Sequence, residues 1–205
     1  MKIAAFVDTH GNTKALEKAI DKAKKNNAEI LICAGDISIF ENDINRLMKK
    51  LNTAGLPVLI VPGNHESPKT IKEICKKHKN LNPLHKAFFR VKEYVFMGME
   101  ADGFGMEDPD FTKWASKAKK ELLRMQKKEK KRFKIILVTH APPHNTKLDN
   151  LMGSNCGNKA VRKFIEENNV LLSISGHIHE NAGKMDTIKK TKVMNPGPYG
   201  RIVSV

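Results

Sequence analysis

The chain has 205 residues, 40% hydrophobic and 29% charged, with 13 Gly and 9 Pro, which excludes collagen-like, low-complexity and wholly disordered chains and suits one compact domain over 1–205. Its formal net charge of +15 raises nucleic acid as a partner. No uncharged run approaches the roughly 18 apolar residues of a membrane span, the opening MKIAAFVD meets an acid where a signal peptide stays apolar, and Cys33, Cys75 and Cys156 are too few and scattered for a disulfide framework, so the expectation is a soluble cytoplasmic protein with no membrane partner.

Short β-branched, apolar runs alternate with longer segments of helical spacing, the pattern of βαβ units in an α/β protein. Lys2 to Val7 reads as a strand, Asn12 to Asn26 as a helix with Leu16, Ala19, Ile20 and Ala23 on one face, and Ile30 to Ala34 as a second strand. Asn42 to Thr53 is helical, Pro57 to Val61 a strand, and Pro68 opens a helix where proline is tolerated. Ala87 to Met99 alternates like antiparallel strand material. Phe104 to Phe111 reads as a pocket-shaping loop, and Thr112 to Arg132 as a basic helix with Trp114, Ala118, Leu122 and Met125 inward. Ile135 to Thr139 and Val170 to Ser175 are strands around a helix over Lys159 to Asn168, and Gly183 to Val205 carries short strands broken by Asn195-Pro196-Gly197-Pro198.

Each strongly apolar strand runs into a short polar segment at its carboxyl end, where α/β sheets place their sites. The segments are Asp8-Thr9-His10, Gly35-Asp36, Gly63-Asn64-His65-Glu66, His140 and Gly176-His177-Ile178-His179. Carboxylate, imidazole and amide together suit divalent transition metals, and so many ligand types exceed the needs of one ion. Asp-x-His and Gly-Asp are common by chance, whereas Gly-Asn-His is expected only roughly 0.04 times and Gly-His-x-His roughly 0.02 times in a chain of this composition.

This ordered set resembles the calcineurin-like metallophosphoesterases over essentially the whole chain. His140-Ala141-Pro142-Pro143, Thr146 to Asp149, Gly157, Gly176 to Glu180 and Asn195 to Pro198 are further similar to the small archaeal and bacterial phosphoesterases related to cyclic-AMP phosphodiesterase. Many relatives read Gly-Asp-x-x-Asp at the second motif, where Ile39 takes the last place here. The resemblance implies a four-layer α/β/β/α sandwich and a dinuclear metal site. It implies one ion on Asp8, His10, Asp36 and His179 and another on Asp36, Asn64, His140 and His177, with Asp36 bridging. Two divalent cations are expected, Mn²⁺ first, with Fe, Co, Ni or Zn compatible.

The implied activity is hydrolysis of phosphate esters, with phosphodiesters favoured, by a hydroxide bridging the ions. The catalytic residues are then Asp36 and His65, with His65 facing substrate to stabilise the transition state or protonate the leaving oxygen. Asn64, His65 and His144 are the substrate-binding candidates. Asn12, Glu66 and Glu180 could orient ligands or serve as caps and turns. Two segments hold the charge excess: residues 69–92 carry 8 Lys/Arg against 1 acid, and residues 113–134 carry 11 against 2. They read as solvated surface, on different faces if their separation in sequence is a guide. The expected partner is a small phosphate ester, with a nuclease or a non-catalytic scaffold of the same fold as alternatives.

Overall fold

The computed structural model describes residues 1–101 and 106–205. Two sheets carry the fold. The first has the order β13-β1-β2-β3-β4, built from β1 (Lys2–Phe6), β2 (Ile30–Cys33), β3 (Val58–Ile60), β4 (Leu81–Pro83) and β13 (Arg201–Ser204). The second has the order β11-β12-β10-β7-β6-β5, from β5 (Ala87–Val91), β6 (Tyr94–Met99), β7 (Lys134–Thr139), β10 (Val170–Ile174), β11 (Met185–Ile188) and β12 (Thr191–Met194). Their central strands run parallel, and β13, β5 and β11 are antiparallel edges. A small hairpin, β8 (Asn150–Leu151) with β9 (Ser154–Asn155), stands apart.

Alternation along single strands explains the layering. In β1, Ala4 and Phe6 pack under the helices α1 (Thr13–Lys25), α2 (Ile44–Asn52) and α3 (Pro68–Cys75), while Ile3 and Ala5 face the second sheet. In β7, Ile135 and Leu137 meet α4 (Pro109–Glu129) and α5 (Lys159–Glu167), while Ile136 and Val138 point back to Ile3 and its neighbours. Both faces of each central strand are buried, so these strands read as continuous apolar runs. The result is the four-layer sandwich, helices outside and sheets face to face, with three apolar interfaces.

The helices follow local chemistry. Asn12 caps α1, its side-chain oxygen accepting the Ala15 amide at 3.0 Å, and Ser67 caps α3 ahead of Pro68. Asp108 accepts the Phe111 amide at 2.7 Å, so α4 starts at Pro109, before the expected Thr112. The segment expected as a pocket-shaping loop is helix from Pro109 on, its residues 104 and 105 lie outside the described residues, and Glu107, Asp108, Pro109 and Asp110 do line a cavity. Met125, expected on the inner stripe of α4, is only partly buried, and Phe111 and Ala115 join that stripe instead. Among the described residues, no helix is long and apolar enough to cross a membrane.

Candidate metal centre

β1, β2 and β3 of one sheet and β7 and β10 of the other all deliver their carboxyl ends to the same rim. The loops after β1 and β2 are laced together: the Asp8 amide donates to the Gly35 carbonyl, that of His10 to Asp36, and that of Gly11 to Ile37, at 3.1, 2.9 and 2.8 Å. Asp8, His10, Asp36 and His177 all hold positive φ, between 44° and 70°, a conformation that non-glycine residues keep only where surrounding structure enforces it. Two glycines make room. A Cβ on Gly63 would lie 2.0 Å from an Asp36 carboxylate oxygen, and one on Gly176 would lie 2.1 Å from Val7 and 2.8 Å from the Asp8 carboxylate.

Contacts between the sheets then aim the side chains. His140, buried, sets its Nδ1 2.9 Å from the Ala34 carbonyl. A carbonyl only accepts, so that nitrogen carries the proton and Nε2 offers its lone pair to the rim. The His177 amide donates to the Asp8 carboxylate at 3.0 Å. Asp8, His10 and His179 form one potential ion-binding group, with His10 Nε2 and His179 Nε2 2.9 Å apart. His140 Nε2 and His177 Nδ1 each lie 3.1 Å from the Asn64 Oδ1 atom. Asp36 Oδ2 stands between the groups, 3.7 Å from His10 Nε2 and 3.3 Å from His140 Nε2. All seven residues expected as ligands therefore converge. His65 joins them, its Nε2 3.9 Å from Asp36 Oδ2 and its Nδ1 accepting the Phe40 amide at 3.3 Å.

The electrostatics are those of a site built to hold positive charge. Burial raises the Asp8 carboxyl to about 6; His140 opposes that shift and the Asp36 carboxylate adds to it. Burial alone would push the His140 imidazole down, yet the carboxylates of Asp36 and Asp8 raise it to about 9. Burial pushes the Asp36 carboxyl up, but the hydrogen bonds and charges of His140 and His65 together hold it below the usual carboxylate range. Without a cation, lone-pair atoms would face one another across the rim, and the proton on His140 relieves this. Two carboxylates, four imidazoles and an amide oxygen with aligned lone pairs fit divalent transition-metal ions.

The other sequence candidates divide. Asn12 is a helix cap, as above. Glu66 is buried and ties the loops after β2 and β3 together: it accepts the amides of Asp36, Ser38 and Gly63 at 3.1, 2.8 and 3.2 Å, and the Ser38 hydroxyl at 2.7 Å. Glu180 is exposed beside His179. His144 rests against the buried Asp149, its Nδ1 3.4 Å from Oδ2, while that carboxylate receives the amides of Asn145, Thr146 and Gly157. The Asn195 turn does more than end a strand. Its Gly197 carbonyl accepts the Val7 amide at 3.2 Å and the Asn195 side chain reaches the Ile178 carbonyl at 3.4 Å, bracing the loops that carry Asp8 and His177.

Two findings were not expected. His85, read as solvated, is half-buried in the wall of a 540 Å³ cavity beside Asn64, shared with Pro68, Lys86, Glu100 and Asp110. The two basic segments meet: Lys86 from the first and Lys117, Lys120 and Arg124 from the second line one groove over Phe88 and Trp114. The antiparallel β5–β6 pair lies beside β7, and α4 packs across that part of the sheet.

Comparison with known proteins agrees with this fold. The family model described as calcineurin-like phosphoesterase matches residues 1–181. An uncharacterized protein of Methanocaldococcus jannaschii, MJ1162, is 31% identical over 210 residues, spanning 99% of this chain and 91% of that protein. Among solved structures, TT1561 of Thermus thermophilus superposes with a TM-score of 0.70 at 22% identity, covering 97% of this chain and 89% of its own. A protein from Danio rerio described as a dimetal phosphatase gives a TM-score of 0.69 at 12% identity, over 95% of this chain and 86% of its own.

Proposed function

The chain belongs to the calcineurin-like phosphoesterase family, and from that premise we propose that it hydrolyses small phosphodiesters in the reducing cytoplasm with two divalent metal ions, Mn²⁺ foremost. The observation that carries the two-ion reading is the position of Asp36 Oδ2, within 3.7 Å of a ring nitrogen in each ligand group. A carboxylate so placed can bridge two cations. Asp8, His10 and His179 would complete one ion's shell, and Asn64, His140 and His177 the other's. The Danio rerio protein of similar fold, described as a dimetal phosphatase, supports the same stoichiometry. When bound, the ions supply Lewis acidity for the phosphoryl oxygens and acidify a water.

The protein's own groups do the rest. His65 Nδ1 receives the Phe40 amide, so the neutral ring carries its proton on Nε2, which points toward Asp36. A protonated Nε2 is a donor, not a ligand. It can hold a phosphoryl or leaving-group oxygen and stabilise charge developing there. Asn64 also lines the open cavity shared with Pro68 and His85. His144, through Asp149, is better placed to fix its own loop than to bind substrate.

The test is turnover of diester, monoester, cyclic-nucleotide and DNA substrates by metal-stripped protein reloaded with Mn²⁺, Fe²⁺, Co²⁺, Ni²⁺ or Zn²⁺. Metal-dependent hydrolysis with a diester preferred is expected, and no turnover with any pairing refutes the proposal. The groove of Lys86, Lys117, Lys120 and Arg124 favours a second reading, hydrolysis of a nucleic-acid backbone. Convergence of all seven ligands weighs against a non-catalytic scaffold.

A further inference from the structure

Phe40 and Ile39 present a large apolar surface to water, 78% and 48% exposed, and they do so beside the catalytic histidine. The Phe40 ring lies 4.4 Å from that of His65, tilted by 54°, and its amide donates to His65 Nδ1. The loop that carries them is not slack. The Glu41 amide donates to the His65 carbonyl at 3.1 Å, the Glu41 carboxylate accepts the Ser67 amide at 2.8 Å and the Thr70 hydroxyl at 3.0 Å, and Asn42 closes a turn onto Ile39 at 2.9 Å. Phe40, Glu41 and Asp43 all hold left-handed backbone, with φ of 47°, 62° and 54°. The backbone that carries this phenyl ring is thus tied down beside the metal centre, and the ring itself stays largely open to water.

Resting on the phosphoesterase reading above, we propose that Phe40, flanked by Ile39, is a stacking platform for the organic half of the ester, and that this half carries a flat ring, as a nucleotide does. An ester oxygen held by His65 Nε2 puts its substituent a bond or two from the imidazole, whose ring centre lies 4.4 Å from that of Phe40. A single open aromatic face beside one aliphatic side chain gives most to a planar group, which buries its whole face against it. A flexible alkyl chain gains from enclosure, which this surface lacks. Rigidity matters because a platform already ordered loses little freedom on binding.

The test uses full-length, metal-loaded protein and compares binding of adenosine monophosphate, ribose 5-phosphate, octyl phosphate and inorganic phosphate by calorimetry. Adenosine monophosphate should bind more tightly than ribose 5-phosphate, and Phe40→Ala should remove that advantage, a loss of roughly 5- to 150-fold on the scale of base–aromatic stacking. Ribose 5-phosphate and phosphate should bind the variant within about twofold of wild type, and Phe40→Trp should keep the preference. Equal affinity for the first two ligands in wild type, or a preference that survives Phe40→Ala, overturns the proposal. So does a Phe40-dependent gain for octyl phosphate alone, or sedimentation showing that Phe40→Ala splits a dimer. Absence of turnover on every ester would instead defeat the phosphoesterase reading, because these binding ratios do not depend on catalysis.

Discussion

Glu66→Gln isolates the tie that fixes the loop carrying Asp36. One Glu66 carboxylate oxygen accepts the Ser38 amide and hydroxyl, and the other accepts the amides of Asp36 and Gly63. The residue is 5% exposed, so water cannot readily replace these bonds, and they oppose the burial that raises its pKa. Glutamine keeps the shape but turns one acceptor into an NH₂ donor. In the better orientation that NH₂ faces Ser38, whose hydroxyl can accept while its amide cannot. One buried backbone N–H is then stranded, at a cost of about 1–3 kcal/mol. The opposite orientation strands two. With a urea slope of about 2–3 kcal/mol per molar, the unfolding midpoint of metal-free protein should fall by about 0.3–1.5 M. Glu66→Ala, which removes all the acceptors, should lose at least as much. Calorimetric titration of Glu66→Ala should also show weaker binding at both ion positions, since the Asp36 amide loses its acceptor, whereas the Gln variant keeps that bond in the better orientation and should bind ions nearly as wild type does. A Gln variant whose midpoint matches wild type, or an Ala variant whose ion affinities do, would refute the argument.

Asp36→Asn should weaken both ions, whereas His10→Ala should mainly weaken one; metal analysis finding two tightly held ions in the Asn variant would remove Asp36 from the bridge. His65→Ala should keep both ions and slow turnover by roughly 10²- to 10⁴-fold, and loss of metal would make His65 a ligand instead. His140, raised to about 9 in the ion-free site, must shed its proton before it can ligate, so ion affinity should climb as pH rises from 6.5 toward 9, by up to about tenfold per unit. Metal uptake at pH 7.5 should accordingly release about one proton, and uptake without proton release would contradict the assignment. Neutralising Lys127, Lys128, Lys130 and Lys131 at the exposed end of α4 should leave small-diester turnover within about threefold, since screening acts over roughly 10 Å at 0.1 M salt. A steep salt dependence on DNA that vanishes in this variant would promote the nucleic-acid reading.

The strand ends are legible because a parallel strand buried on both faces is a continuous apolar run, and its last polar residues mark the carboxyl rim. That places Asp8, Asp36, Asn64, His140 and His177 at one rim from residue order alone. The periodicity of β1 and β7 does not say which sheet each joins; the two-sheet sandwich came from family resemblance, and strand pairing with the core interfaces bears it out. β4 escapes a reading of periodicity because three residues ending in proline carry too little pattern, and Pro83 is tolerated there only because β4 is an edge strand. The start of α4 differs from expectation because Asp108 caps a helix through one hydrogen bond that composition does not reveal.

At the site, residue types announce metal chemistry, but the Asp36 position between two imidazole groups, the tautomer of His140 and the proton on His65 Nε2 all depend on partners 25 to 106 residues distant. Glu66 and the Asn195 turn look like ordinary loop residues until the amides they hold are seen. His85 and the joined basic groove likewise come from the pairing of β5 with β6 and the packing of α4, contacts with no local signature. Sequence periodicity is set by neighbours one turn or one pleat away, whereas a site's distances and protonation are set by groups brought together only when the two sheets stack.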